Sequence, residues 1–164
     1  MKKLIVIRML TVLLLLAGAA SASAQDPRLA GVWKRHVSWS GIIEYDRFIR
    51  IDIDESRVFV AIKEMGNTVD GTPFQSYWDA SNITVNSDGS VSFIVYLNKR
   101  VFVNEDHLYW TVYDSYTIRA EGSRLNATEG RYEYGENSQG RIVKDKHNII
   151  LPNQYTYFNI NDNW

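Results

Sequence analysis

The side chains best suited to chemistry are three histidines and one short run of carboxylates. His36 and Ser38 lie two residues apart, the spacing that puts both on one face of a strand. A hydrolytic triad would need a carboxylate behind that histidine, and such triads are recognised by geometry rather than by chain order. No nucleophile-elbow pattern surrounds Ser38. His107 follows Glu105-Asp106, and His147 lies in the polar stretch Asp145-Lys146-His147-Asn148. Asp52 and Asp54 alternate with Ile51 and Ile53. Paired carboxylates can act as acid and base on a glycosidic bond. Asp52-x-Asp54-x-Ser56 also sets oxygen atoms at alternate positions, as calcium loops do, but it lacks the central Gly and distal Glu of an EF-hand. The same alternation is the ordinary pattern of a half-buried strand with a wet outer face. No phosphate loop, dinucleotide fingerprint or Cys/His metal spacing occurs. These residues point to a non-enzymatic protein with no cofactor and no bound metal.

The elements that must position these side chains are strands. Apolar residues recur at period two, and no helical period of useful length appears. Ile49, Ile51 and Ile53 share one face of a first clear strand, and Val58, Val60 and Ile62 share a face of the next. Phe59 and Ala61 take its other side. Gly66 to Pro73 reads as a loop and Phe74 to Ala80 as a short strand or flap. Asn86-Ser87-Asp88-Gly89 is the clearest hairpin signal, followed by Val91, Phe93, Val95 and Leu97 in phase. Turns are expected at Asn98-Lys99, Asp114-Ser115, Gly135 to Gln139 and Asp145 to Asn148, and an edge or break at Pro152. The count is nine to ten short strands in an antiparallel meander. Closure into a barrel would remove the exposed edges, and a β-sandwich satisfies the same alternation.

The chain begins with Lys2, Lys3 and Arg8, continues with an apolar run from Met9 to Ala20, and reaches Ala22-Ser23-Ala24. That is the pattern of a secretory signal peptide over residues 1–24, too short for a membrane span. Cleavage there leaves one domain, residues 25–164, of 140 residues. Three of the 18 basic residues leave with the signal, so the remainder carries 15 basic and 19 acidic residues, a net charge of −4. An acidic chain is a poor partner for nucleic acid. With no cysteine there is no disulfide, thiolate site or lipid anchor on Cys. The expected location is the periplasm or the cell exterior. Every Trp, Tyr and Phe follows the signal, a composition that favours strands and aromatic binding surfaces.

The stretch Asp26-Pro27-Arg28-Leu29-Ala30-Gly31-Val32-Trp33-Lys34 opens the domain. Leu29, Gly31 and Trp33 resemble the Leu-x-Gly-x-Trp opening of lipocalin-like (calycin) β-barrels, including the short exported ones of Bacteroidetes. The Thr-Asp-Tyr signature of that family is absent, and Thr111-Val112-Tyr113-Asp114 has its residue types in another order. The resemblance implies a single-domain meander closed into a barrel, with Gly31 and Trp33 as its structural plug. It also implies a late arginine over the indole, for which Arg131 and Arg141 are the candidates. The expected function is to hold a small apolar or amphipathic ligand among Phe59, Trp78, Phe93, Trp110 and Tyr116. Inward parity stays open between Phe48 and Ile51 and between Phe59 and Val60, because a one-residue slip inverts it. The alternative is a module that binds a glycan or protein through surface aromatics, with Trp39, Tyr77, Trp78, Tyr132 and Tyr134 as candidates.

Overall fold

A computed structural model describes residues 26–39, 43–54, 57–103 and 107–160. The signal segment expected over residues 1–24 lies outside them. The described chain starts with a 3-10 turn, Pro27–Leu29, capped by Asp26, whose carboxylate accepts from the Arg28 amide. Nine strands follow: β1 (Gly31–Trp39), β2 (Ile43–Asp54), β3 (Arg57–Asn67), β4 (Pro73–Asp79), β5 (Ser81–Val85), β6 (Val91–Val103), β7 (Leu108–Glu121), β8 (Arg124–Glu136) and β9 (Ile142–Ile160). They form one antiparallel sheet in the order β4-β3-β2-β1-β9-β8-β7-β6-β5. Each strand pairs with its chain neighbour, except that β4 and β5 are the two sheet edges, and β9 returns to pair with β1. At Ala80, the one residue between β4 and β5, the amide donates to the Val60 carbonyl of β3 at 2.9 Å. The fold is therefore an all-β meander, as the period-two pattern predicts.

Burial settles the parity that the sequence leaves open. Ile49, Ile51, Val60 and Ile62 point into the apolar core, where they meet Phe93, Val95, Ile118 and Leu125. Phe48 sits on the opposite face, yet it is buried there, because Lys34 and Lys63 lie over its ring at 5.6 and 5.5 Å. The Lys34 stem covers apolar surface while its charged head stays near water, and Lys63 is itself buried. Trp33 is only 2% exposed, and its indole N–H donates to the Leu29 carbonyl at 2.9 Å. The 3-10 turn thus holds the ring at one end of the core. Gly31 enters β1 at φ +128°, a backbone region L side chains avoid, and a Cβ there would meet Asn159 Nδ2 at 3.0 Å. Gly66 has a different reason to be glycine. A Cβ would lie 2.6 Å from both the Glu44 carbonyl oxygen and Tyr45 Cβ, so the close β2–β3 approach requires its absence.

The predicted Asn86–Gly89 turn joins β5 to β6. Three other expected turns are strand instead. Asp114-Ser115 lies inside β7, because Asp114 is buried and paired to Arg131 Nε at 2.6 Å, which satisfies its carboxylate within the sheet. At Asn98-Lys99, β6 bulges rather than turns. Asn98 Oδ1 accepts the Val112 amide at 2.8 Å, Thr111 Oγ1 accepts the Arg100 amide at 3.2 Å, and Arg100 takes φ +54°. Asp145 to Asn148 runs within β9, with register shifts against β8 absorbing the irregularity. Pro152 sits in this strand beside one such shift.

Candidate functional site

The inner face of the sheet changes character along its length. Above the apolar core, side chains in phase with it are charged. Arg47 donates from Nε to Glu64 Oε1 at 2.6 Å and from Nη1 to Glu129 Oε2 at 2.7 Å. It also reaches the Tyr116 and Tyr45 hydroxyls at 3.3 Å each. Glu129 accepts further from Arg35 at 3.0 Å and from the Tyr157 hydroxyl. Arg47 and Glu129 are each only 6% exposed. The Arg131–Asp114 pair adjoins them, one register step along the β7–β8 ladder. Three arginines thus face three carboxylates, so the group is balanced in charge. Burial pushes the Tyr116 and Tyr157 phenols well above their usual range. Burial also opposes the charge on Arg47, but the oxygens of Tyr116, Tyr157, Glu129 and Glu64 outweigh it and hold the guanidinium protonated. One donor has no partner among the described residues: Arg35 Nε, a buried atom.

The outer face of β6 to β9 has a different chemistry. β9 first pairs with β1 at Phe158, so the distal parts of β6, β7, β8 and β9 form a ladder beyond that junction. Tyr113 and Tyr132 are register partners and stack at 5.4 Å with a 15° tilt. Tyr96 and Tyr134 pack around Tyr113 at 6.0 and 6.5 Å. Lys146 Nζ lies 4.3 Å from the Tyr132 ring and Lys99 Nζ 4.7 Å from Tyr96. Further along, Phe102 meets Tyr109 at 5.3 Å, and the Arg100 guanidinium lies 5.0 Å from that tyrosine. The same ladder leaves Val101, Phe102, Ile142, Val143, Ile149, Ile150 and Leu151 between 44 and 74% exposed, divided between its two faces: Phe102 and Ile142 stand beside the outer Tyr109 and Glu136, Val101 and Ile150 beside the inner Trp110 and Arg131. Exposed apolar side chains beside clustered aromatic rings and an arginine are enriched at protein–protein contacts.

The ligand residues expected from sequence do not converge on one place. Phe93 and Tyr116 are buried together and stack at 4.9 Å, and Trp78 packs against the same core from β4. Trp110 lies in the distal ladder under Lys144 at 4.9 Å. Phe59 turns away from the core and is 51% exposed. Trp33 is buried in the core beside the Pro27–Leu29 turn, and Gly31 opens β1. Of the late arginines, Arg131 is held by Asp114, and the Arg141 amide donates to Asn137 in the β8–β9 turn. His36 turns to Asp46 at 3.1 Å, on an exposed face. Asp52 pairs with Arg50 at 2.9 Å. Tyr77 is exposed, Tyr132 and Tyr134 belong to the outer ladder, and the side chain of Trp39 lies outside the described ones. Sequence reasoning missed Arg35, Arg47, Glu64 and Glu129. The available signal was phase: Arg47 keeps step with Ile49 and Ile51, and Glu129 with Leu125 and Ala127.

Among the described residues no group of three or more His, Asp or Glu is placed to hold a metal ion, and no helix is long and apolar enough to cross a membrane. The class the fold defines is an antiparallel β meander. In comparison with known proteins, no family model, curated protein or solved structure matches the chain.

Proposed function

We propose that this chain is an exported, non-catalytic β module of lipocalin-like barrel type that binds a protein partner through the outer face of β6 to β9. One observation carries the reading: Phe102 and Ile142 stand half-exposed on that face, in the same ladder as a stacked tyrosine cluster capped by lysines. Tyrosine and arginine anchors with apolar neighbours dominate binding energy in protein interfaces. The partner meets the side-chain face rather than the free ladder edge of β9. That edge carries Lys144, Lys146, Pro152 and repeated register shifts, the devices that discourage strand addition. The inner face favours a structural role, since its lower half is packed and its upper half is balanced in charge. Neighbour-to-neighbour pairing, the return of β9 to β1 and the buried Trp33 support the barrel-type assignment.

The test is site-specific photo-crosslinking in the exporting cell. A crosslinking residue at Phe102 or Ile142 is expected to give a discrete protein adduct, and the same residue at Tyr77 none. Equal labelling from all three positions, or none from Phe102 and Ile142, would reject the reading.

A second reading, an amphipathic small molecule held on the inner face, rests on the buried, unpartnered Nε of Arg35. Native mass spectrometry of the protein as exported decides it. A stoichiometric adduct lost in Arg35→Met would favour this reading over the first.

A further inference from the structure

A separate hollow lies beside the β4/β5 seam. It is open to solvent, with a volume of about 290 Å³, and is lined by Arg50, Asp52, Phe59, Ala61 and Asp79, with Val60, Ala80 and Ile83 toward the seam. The register explains why it exists. Arg50, Ala61 and Asp79 stand side by side across β2, β3 and β4, and Asp52 stands beside Phe59. Ala61 is the short side chain in its row, so its methyl forms a floor between two longer neighbours. The adjacent row, Phe48, Lys63 and Tyr77, is tall, and Lys63 Nζ lies 5.5 Å from each ring. The hollow is therefore bounded on that side. On the other side Phe59 presents a half-exposed ring.

The lining selects the chemistry of an occupant. An anion meets two carboxylates, Asp52 and Asp79. A cation meets the Arg50 guanidinium, which lies 2.9 Å from Asp52. A purely apolar molecule would strip water from all three groups without replacing its hydrogen bonds. What fits is a neutral ring with an apolar face to lay on Phe59 and paired hydroxyls for the carboxylates and guanidinium. Planar, bidentate groups such as these suit adjacent hydroxyls. The volume lies just below the usual range of small-molecule sites, which suits a single ring.

We infer that this hollow binds a single hexopyranose unit, stacked on Phe59 over the Ala61 floor and hydrogen-bonded by Asp79, Asp52 and Arg50. This site is distinct from the β6–β9 face and does not depend on it.

The experiment is saturation-transfer NMR and titration of the full exported chain with methyl glucopyranoside, methyl galactopyranoside and methyl mannopyranoside. At least one is expected to bind saturably in the millimolar range. Ala61→Leu fills the floor from the solvent side and is expected to weaken that sugar by about tenfold or more, a loss that reads directly as a change in Kd. Phe59→Ala is expected to weaken it by a similar factor, which covers the case in which the leucine variant fails to fold. Tyr132→Ala, on the distal ladder, leaves sugar binding unchanged. Failure of all three glycosides to saturate overturns the inference. So does undiminished binding by Ala61→Leu, or displacement of the sugar by tetramethylammonium or sulfate at equal concentration. None of these outcomes bears on the crosslinking result for Phe102 and Ile142.

Discussion

Arg47 is the residue whose removal tests the inner charge network most sharply. Arg47→Met keeps the length and packing of the stem and deletes the guanidinium. Four hydrogen bonds disappear, two of them to the carboxylates Glu64 and Glu129 at 2.6 and 2.7 Å. Removing one partner of a buried ion pair costs about 3–5 kcal/mol, chiefly because the other charge is left stranded. Two features place this site at the lower end. Glu129 keeps Arg35 and the Tyr157 hydroxyl, and the Glu64 side chain is 16% exposed, so water can reach it. The expected loss is therefore about 3–4 kcal/mol. With a urea m-value of roughly 2 kcal/mol per molar, the unfolding midpoint falls by about 1.5–2 M. Arg47→Lys keeps the charge but cannot reach four acceptors with a planar fork, so its midpoint lies between those of the parent and Arg47→Met. Lys34→Met, which keeps the stem over Phe48 and breaks only the partly exposed pair with Asp46, serves as the control and shifts stability by less than about 1 kcal/mol. If Arg47→Met moves the midpoint by less than about 0.5 M, water reaches the cluster freely and the reasoning from burial is wrong.

Three other consequences can be checked with modest effort. Tyr116 and Tyr157 are raised by burial, so their folded pKa values exceed the unfolded value near 10. Their contribution to stability is complete below that pH and is lost as the pH climbs above it. In an alkaline titration followed at the phenolate band, two of the ten tyrosines should ionise only as the protein unfolds, and full ionisation in the folded state would refute this. Asp46 is a contrasting case: burial would raise its pKa, but hydrogen bonds from Lys34 and His36 prevail and lower it. Its contribution is present above the unfolded value near 3.9 and disappears as the pH falls through the lower folded value, so Asp46→Asn should destabilise at pH 7 and converge with the parent in acid. Gly66→Ala must move the β2 backbone, since its new methyl would lie 2.6 Å from the Glu44 carbonyl. A loss of about 1–3 kcal/mol is expected in thermal or urea unfolding, and an unchanged midpoint would show that the two strands separate easily.

Much of the strand pattern was legible because period-two alternation is a local property. The Ile49-Ile51 and Val60-Ile62 faces, and the hairpin at Asn86–Gly89, follow from neighbouring residues alone. The errors share one cause. Asp114-Ser115, Asn98-Lys99 and Asp145 to Asn148 carry turn-forming side chains, and tertiary partners overrode that preference. Arg131 holds Asp114 in a ladder, Val112 and Thr111 use the bulge at Asn98 and Arg100, and β8 carries β9 through its polar stretch. The charged inner cluster was hidden for a related reason. Arg35 and Glu129 stand 94 residues apart, and no local pattern announces that they meet. Phase with the isoleucines marked Arg47 as inward, but a charged residue in phase reads as an exception unless its partner is known. Likewise, the exposed apolar side chains of β9 resemble ordinary strand residues in sequence. Their consequence lies in being left uncovered from Ile142 to Leu151.

The claim that the β6–β9 face is an occupied interface can be read out directly by hydroxyl-radical footprinting. The chain is oxidised once as purified protein and once in its native compartment, and modification is compared residue by residue. Occupation predicts that Phe102, Tyr132, Tyr134 and Ile142 lose reactivity in the cell while Tyr77 keeps its own. Identical reactivity of the distal ladder in both settings would contradict the account.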